Sequence, residues 1–124
     1  MKNAINWFAI PAKDLDRAVN FLNTIFGFEM HKTEMGGVEL AFFPIEDQTS
    51  GVGGHVYKSD DSKPTLNGPT LYLNGGEDLQ AVLDKVESAG GKIMTPKTQI
   101  APEVGYMAVF EDTEGNKLAL HSPR

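Results

Sequence analysis

A chain of 124 residues, 40% hydrophobic and 23% charged, fits one globular domain with a sizeable core, and no apolar run approaches the roughly 20 residues a bilayer span needs. The absence of cysteine excludes disulfide frameworks, thiolate zinc sites and cysteine nucleophiles, so any metal would have to be held by His, Asp or Glu. A net charge of −6 without a cluster of basic residues argues against nucleic acid and leaves neutral or cationic small molecules as the expected partners.

In chain order, residues 5–12 (INWFAIPA) read as a β-rich strand ending near Pro11. The apolar run around it is short and broken by Asn6 and Pro11, which makes a poor secretory signal; the cytoplasm is the expected compartment, with no membrane partner. The next segment, 13–28, predicts an amphipathic helix. Leu15, Ala18, Val19, Leu22, Ile25 and Phe26 recur at spacings of three and four, Asp14 suits the N-cap and Gly27 the stop. Strands are expected over 28–35, over 38–44 after the Gly36-Gly37 turn, and over 51–57. Residues 59–69 are polar and proline-bearing, and form the linker.

After the linker the order starts again. A strand is expected over 70–74, a helix over 77–91 with Leu79, Val82, Leu83 and Val86 on one face and a Gly-Gly stop, then strands over 92–96, 105–112 and 116–122. The last two are joined by the turn 113–116, where Gly115 or Asn116 takes a positive φ. Asp14-Leu15 matches Asp78-Leu79 at an offset of 64, and Gly27 matches Gly91 at the same offset. The expected fold is therefore α+β: one domain, 1–124, of two tandem βαβββ modules, the first over about 1–58 and the second over about 70–124.

Three stretches, IPAKDLDRAVNFLNTIFGFEM, EDLQAVLDKVESAGGKIM and GYMAVFEDTEGNKLALHS, together resemble the vicinal oxygen chelate superfamily, which includes glyoxalase I, bleomycin-resistance proteins, fosfomycin-resistance enzymes and extradiol dioxygenases. The resemblance implies curved mixed sheets around a cavity, one helix per module on the convex side, and a homodimer, with the pocket completed across its interface or by module pairing. Metal-dependent members hold a divalent ion with His and Glu from the first and last strands of each module. Transferred by position, those ligands fall on Trp7, Gly54 (His55 after a one-residue slip), Thr70 and Ala119. None of the four is a good ligand, and the usual site is expected to be missing.

Strand alternation sends Trp7 and Ala9, Thr70 and Tyr72, and Ala119 and His121 toward the cavity; Gly54, His55 and Tyr106 complete the expected pocket. That lining suits a small aromatic or amphipathic molecule bound without a cofactor. The alternative is a glyoxalase-like lyase or isomerase, or another metal-dependent enzyme of the superfamily, working from an unusual site around His55 and His121. His121 is then the catalytic candidate. A third reading has Trp7 and Tyr72 simply filling the cavity of a dimeric module.

Overall fold

The computed structural model describes residues 2–124. Strand β1 (Trp7–Ala12), helix α1 (Leu15–Phe26) and strands β2 (His31–Met35), β3 (Val38–Phe42) and β4 (Gly53–Lys58) make the first module. Strand β5 (Tyr72–Asn74), helix α2 (Gln80–Leu83) and strands β6 (Lys92–Ala101), β7 (Gly105–Glu111) and β8 (Lys117–Ser122) make the second. Each module forms one open four-stranded sheet, ordered β1-β4-β3-β2 and β5-β8-β7-β6, in which the first and last strands run parallel and the others antiparallel. Two sheets of identical order, built in the same sequence, bear out the duplication read from the residues.

Helix α1 forms where expected. The Asp14 carboxylate accepts from the Arg17 N–H at 3.1 Å, Gly27 closes the last turn at φ 69°, and Leu15, Ala18, Val19, Phe21, Leu22 and Ile25 are buried along one side. Each such large side chain, fully removed from water, contributes about 1.5–3 kcal/mol.

The second helix departs from expectation. Its regular part is Gln80–Leu83, and turns continue to Gly90. Asp78 Oδ1 accepts from Gln80 N and from Lys97, and Leu79 N donates to the buried Ser122 hydroxyl instead of being capped from its own segment. Bonds of the i to i+3 kind, such as Lys85 N to Val82 O and Val86 N to Leu83 O, then alternate with i to i+4 bonds. Leu79, Leu83 and Val86 are nonetheless buried, so the apolar pattern was satisfied by packing while the backbone tightened. The left-handed glycine is Gly90, φ 108°; Gly91 instead lies where a Cβ would fall 2.9 Å from the Phe21 ring, which lets the modules approach.

Strand β6 is twice as long as the 92–96 expected, running to Ala101. Pro96 is tolerated because β6 is an edge strand and the register shifts between Thr95 and Thr98. Strands β2 and β5 start later than expected, at His31 and Tyr72.

The two sheets turn their helix-side residues into one core. Ile10, Ala41 and Val56 of the first module and Leu73, Phe110 and Leu120 of the second belong to a single cluster, and Phe21 meets Phe110 at 6.0 Å. The β7–β8 turn fastens the modules. Its Glu114 carboxylate, almost fully buried, accepts from Lys13 N, Asp14 N, Thr113 and both Nε and Nη2 of Arg17. Asp112 accepts the N–H groups of Glu114, Gly115 and Asn116, while the Asn116 amide donates to Pro11 O at 2.8 Å. Gly115 takes φ 101°, as the turn expected there requires. With the helix sides facing inward, the opposite face of each sheet looks outward.

Candidate functional site

Register fixes which side chains share the outward face of the first sheet. Trp7 pairs with Gly53, Ala9 with His55, Phe42 with both His55 and His31, and Leu40 with Tyr57 and Thr33. Period two therefore places Trp7, Ala9, His31, Phe42, His55 and Tyr57 on one surface. Trp7 meets Phe42 edge-on at 6.1 Å, Phe42 meets His55 at 6.2 Å and His55 meets Tyr57 at 5.7 Å. Beside this cluster lies a cleft of about 720 Å³, lined by Trp7, His31, Phe42 and the loop residues Pro44, Ile45, Gln48 and Thr49, with Glu29 at its edge. Its volume is in the range of small-molecule sites.

Trp7 is 48% exposed, yet its indole is not free to turn, because Nε1–H donates to His55 Nδ1 at 2.8 Å. Partial burial pushes the His55 pKa below its ordinary value, which keeps the ring neutral near pH 7. With Nδ1 accepting, the proton of the neutral ring sits on Nε2. The pair thus presents a rigid aromatic plate flanked by one imidazole.

The second sheet presents a separate outward face. Tyr72 pairs with Ala119, Asn74 with His121, and His121 with Met107. Tyr72 is 52% exposed and Thr70 is exposed just ahead of its strand. The His121 ring lies 2.7 Å, through Nε2, from Val104 O, so Nε2 carries the donated proton. A carbonyl orients this histidine where an activating carboxylate would be expected in an acid–base pair.

Two expected pocket residues face the other way. Gly54 pairs with Phe8 on the helix side, where a Cβ would fall 2.5 Å from that ring, and the slip to His55 is the register found. Tyr106 pairs with Ser122, also on the helix side, and packs against the core. The remaining seven divide between the outward faces of two sheets: Trp7, Ala9 and His55 on one, Thr70, Tyr72, Ala119 and His121 with the other. Sequence reasoning missed His31 and Phe42 as cleft residues; counting strand 38–42 by twos from the Gly36-Gly37 turn would have found Phe42.

The donor chemistry does not fit the metal that the fold implies. Trp7 offers a donated N–H, Thr70 a hydroxyl, Ala119 nothing, and the His55 nitrogen facing Trp7 is already an acceptor in use. His55 and His121 stand on different sheets, and among the described residues no three His, Asp or Glu come together as a metal-holding group.

Comparison with known proteins agrees with this architecture. The model of the Glyoxalase/Bleomycin resistance protein/Dioxygenase superfamily matches residues 4–120, and the chain belongs to that superfamily. A glyoxylase-like domain-containing protein from Didymella fabae is 27% identical over 121 residues, covering 94% of this chain and 91% of that protein. Among solved structures, a glyoxalase/bleomycin resistance protein/dioxygenase domain from Frankia sp. EAN1pec superposes with a TM-score of 0.72 at 15% identity over 98% of both chains. An E144Q glyoxalase I mutant from Zea mays superposes at 0.74 and 17% identity over 97% of this chain but 45% of its own. Identities this low show the shared fold alone.

Proposed function

We propose that the protein binds a small aromatic or amphipathic molecule against Trp7, without a metal cofactor, and that a homodimer completes the pocket in the cytoplasm. The observation that carries this reading is Trp7 itself: a half-exposed indole, locked by His55, at the wall of a 720 Å³ cleft. Aromatic plates with a few polar tips favour flat ligands, which stack on the ring and take direction from groups such as His31, Gln48 and Thr49. The homodimer is supported by the outward faces, where Trp7, Met35, Val38 and Tyr72 are all exposed on sheets with free edge strands. Among the described residues no helix is long and apolar enough to cross a membrane.

Saturation-transfer NMR with a panel of fused-ring aromatic compounds tests the reading. Wild-type protein should transfer magnetisation to at least one class of planar compound, and Trp7→Ala should abolish the signal while circular dichroism stays unchanged. Equal transfer in both proteins would place the ligand elsewhere.

A further inference from the structure

We propose that the groove between the two modules is a second binding site, selective for small hydrophobic ammonium compounds. This groove, about 910 Å³, is lined by Phe8, Phe26, Phe28, Leu71 and Leu73, none of which lines the Trp7 cleft; residues 43–45, Gly51 and Gly53 line both and form the wall between them. Four phenylalanines line it in a continuous chain of ring contacts: Phe8 with Phe43 at 5.1 Å, Phe43 with Phe28 at 5.8 Å, and Phe28 stacked on Phe26 at 5.2 Å. Each ring is only half-buried, and Leu71 and Leu73 of the second module supply the facing wall.

The sequence builds this surface through a glycine. Phe8 lies flat over β4 only because Gly54 has no side chain; any Cβ there would fall 2.5 Å from the ring. The position that reads as an absent metal ligand is thus a seat for an aromatic ring.

Charge gives the class of ligand. Among the described residues the groove is lined by no Lys, Arg or His, and its only charged groups are Glu46 and Asp47 at the rim. Neither is in a salt bridge among the described residues. Hydrogen bonds from Ser50 and Thr49 hold the Asp47 carboxyl well below the usual carboxylate range, so it stays ionised at any physiological pH. Aromatic faces attract cations, and two unneutralised carboxylates above them add to the same preference.

The two sites can be read in one sample, because the chain has seven phenylalanines. Phe8, Phe26 and Phe28 line the groove alone, Phe43 lines both the groove and the Trp7 cleft, Phe42 lies in the Trp7 cleft, and Phe21 and Phe110 meet in the core. The full-length protein labelled with 4-fluorophenylalanine is titrated with 4-phenylbutyltrimethylammonium and, separately, with 4-phenylbutanol, and followed by ¹⁹F NMR. The ammonium should shift the Phe8, Phe26, Phe28 and Phe43 resonances saturably and bind about five-fold tighter than the alcohol, the advantage of one exposed charge pair. Glu46→Gln combined with Asp47→Asn should remove that advantage and leave alcohol binding unchanged. Equal affinity for the two probes, shifts confined to Phe42 and Phe43, or no saturable shift would overturn the proposal. Shifts of the four resonances on simple dilution would overturn it too, since a second copy would then fill the groove. Failure of the groove leaves the Trp7 cleft standing, since that cleft is read separately through Trp7→Ala.

Discussion

The two modules share a strand order but solve the same packing problem in different ways. In the first, a capped twelve-residue helix covers the sheet, and the pair facing it across the parallel strands is one very large and one vanishing side chain, Phe8 beside Gly54. In the second, a single helical turn followed by looser turns covers the sheet, and the equivalent pair is two leucines, Leu71 beside Leu118. Both arrangements fill the space, and the first also builds connected aromatic surfaces, Phe8 on the helix side and the Trp7, Phe42 and His55 cluster outside, whereas the second exposes Tyr72. A duplicated fold here keeps its backbone order while one copy specialises its surface and the other supplies the lock, Glu114, that holds them together.

That contrast can be broken most severely at the lock. Glu114→Ala leaves two backbone N–H groups and a guanidinium without their acceptor, and about 2–4 kcal/mol of stability should be lost, measured as a lower urea midpoint with an unchanged slope. Glu114 also predicts an acid limb. Burial alone would raise its pKa, but hydrogen bonds from Arg17, Asp14 N–H and Thr113 outweigh burial and hold it below the ordinary value. Its stabilisation is therefore complete above the unfolded pKa of about 4.3 and is lost as pH falls through the depressed folded value; Glu114→Gln should flatten that limb.

Next in size, Gly54→Ala should force Phe8 out of its seat and destabilise by about 1–3 kcal/mol. In the second module Leu118→Ile, a volume-conserving change at the equivalent position, should cost less than about 1.5 kcal/mol, and paired thermal melts give the ratio. Asp14→Ala removes the N-cap of α1 and should cost about 1 kcal/mol, while Asp78→Ala, ahead of a helix of one turn, should cost less in the same melts. The smallest effect is spectroscopic. Protonating His55 removes the acceptor of the Trp7 N–H; because burial lowers the folded pKa below the ordinary value, the pair is intact near pH 7 and is lost as pH falls through that lowered value. The emission of the chain's single tryptophan should change over that window, and His55→Gln should remove the change.

The fold was legible because its signals are local. Spacing of Leu15, Ala18, Val19 and Leu22, the cap at Asp14 and the stop at Gly27 each demand a helix, and their recurrence demands a second module. The second helix was less legible: Leu79, Leu83 and Val86 have helical spacing, but whether the backbone winds regularly depends on Ser122, 43 residues away, taking Leu79 N. The site was half legible for the same reason. Alternation put Trp7, Ala9, Tyr72, Ala119 and His121 on the correct faces, whereas the glycine-rich 51–57 offers no pattern, so Gly54 and His55 were exchanged until Phe8 fixed the register. Tyr106 looks like a pocket aromatic in sequence; only its pairing with Ser122 turns it to the core side. The interface partners of Glu114, about 100 residues distant, leave no sequence signal at all.

The central claim is that Trp7 binds an aromatic molecule without a metal. Its most direct test is a titration of Trp7 emission with planar aromatic compounds, run in chelator and again with Mn²⁺, Ni²⁺, Zn²⁺ or Fe²⁺ restored. Saturable quenching with the same midpoint is expected in every arm; quenching that appears only when a metal is restored, or none across the panel, would rule out metal-free binding at Trp7.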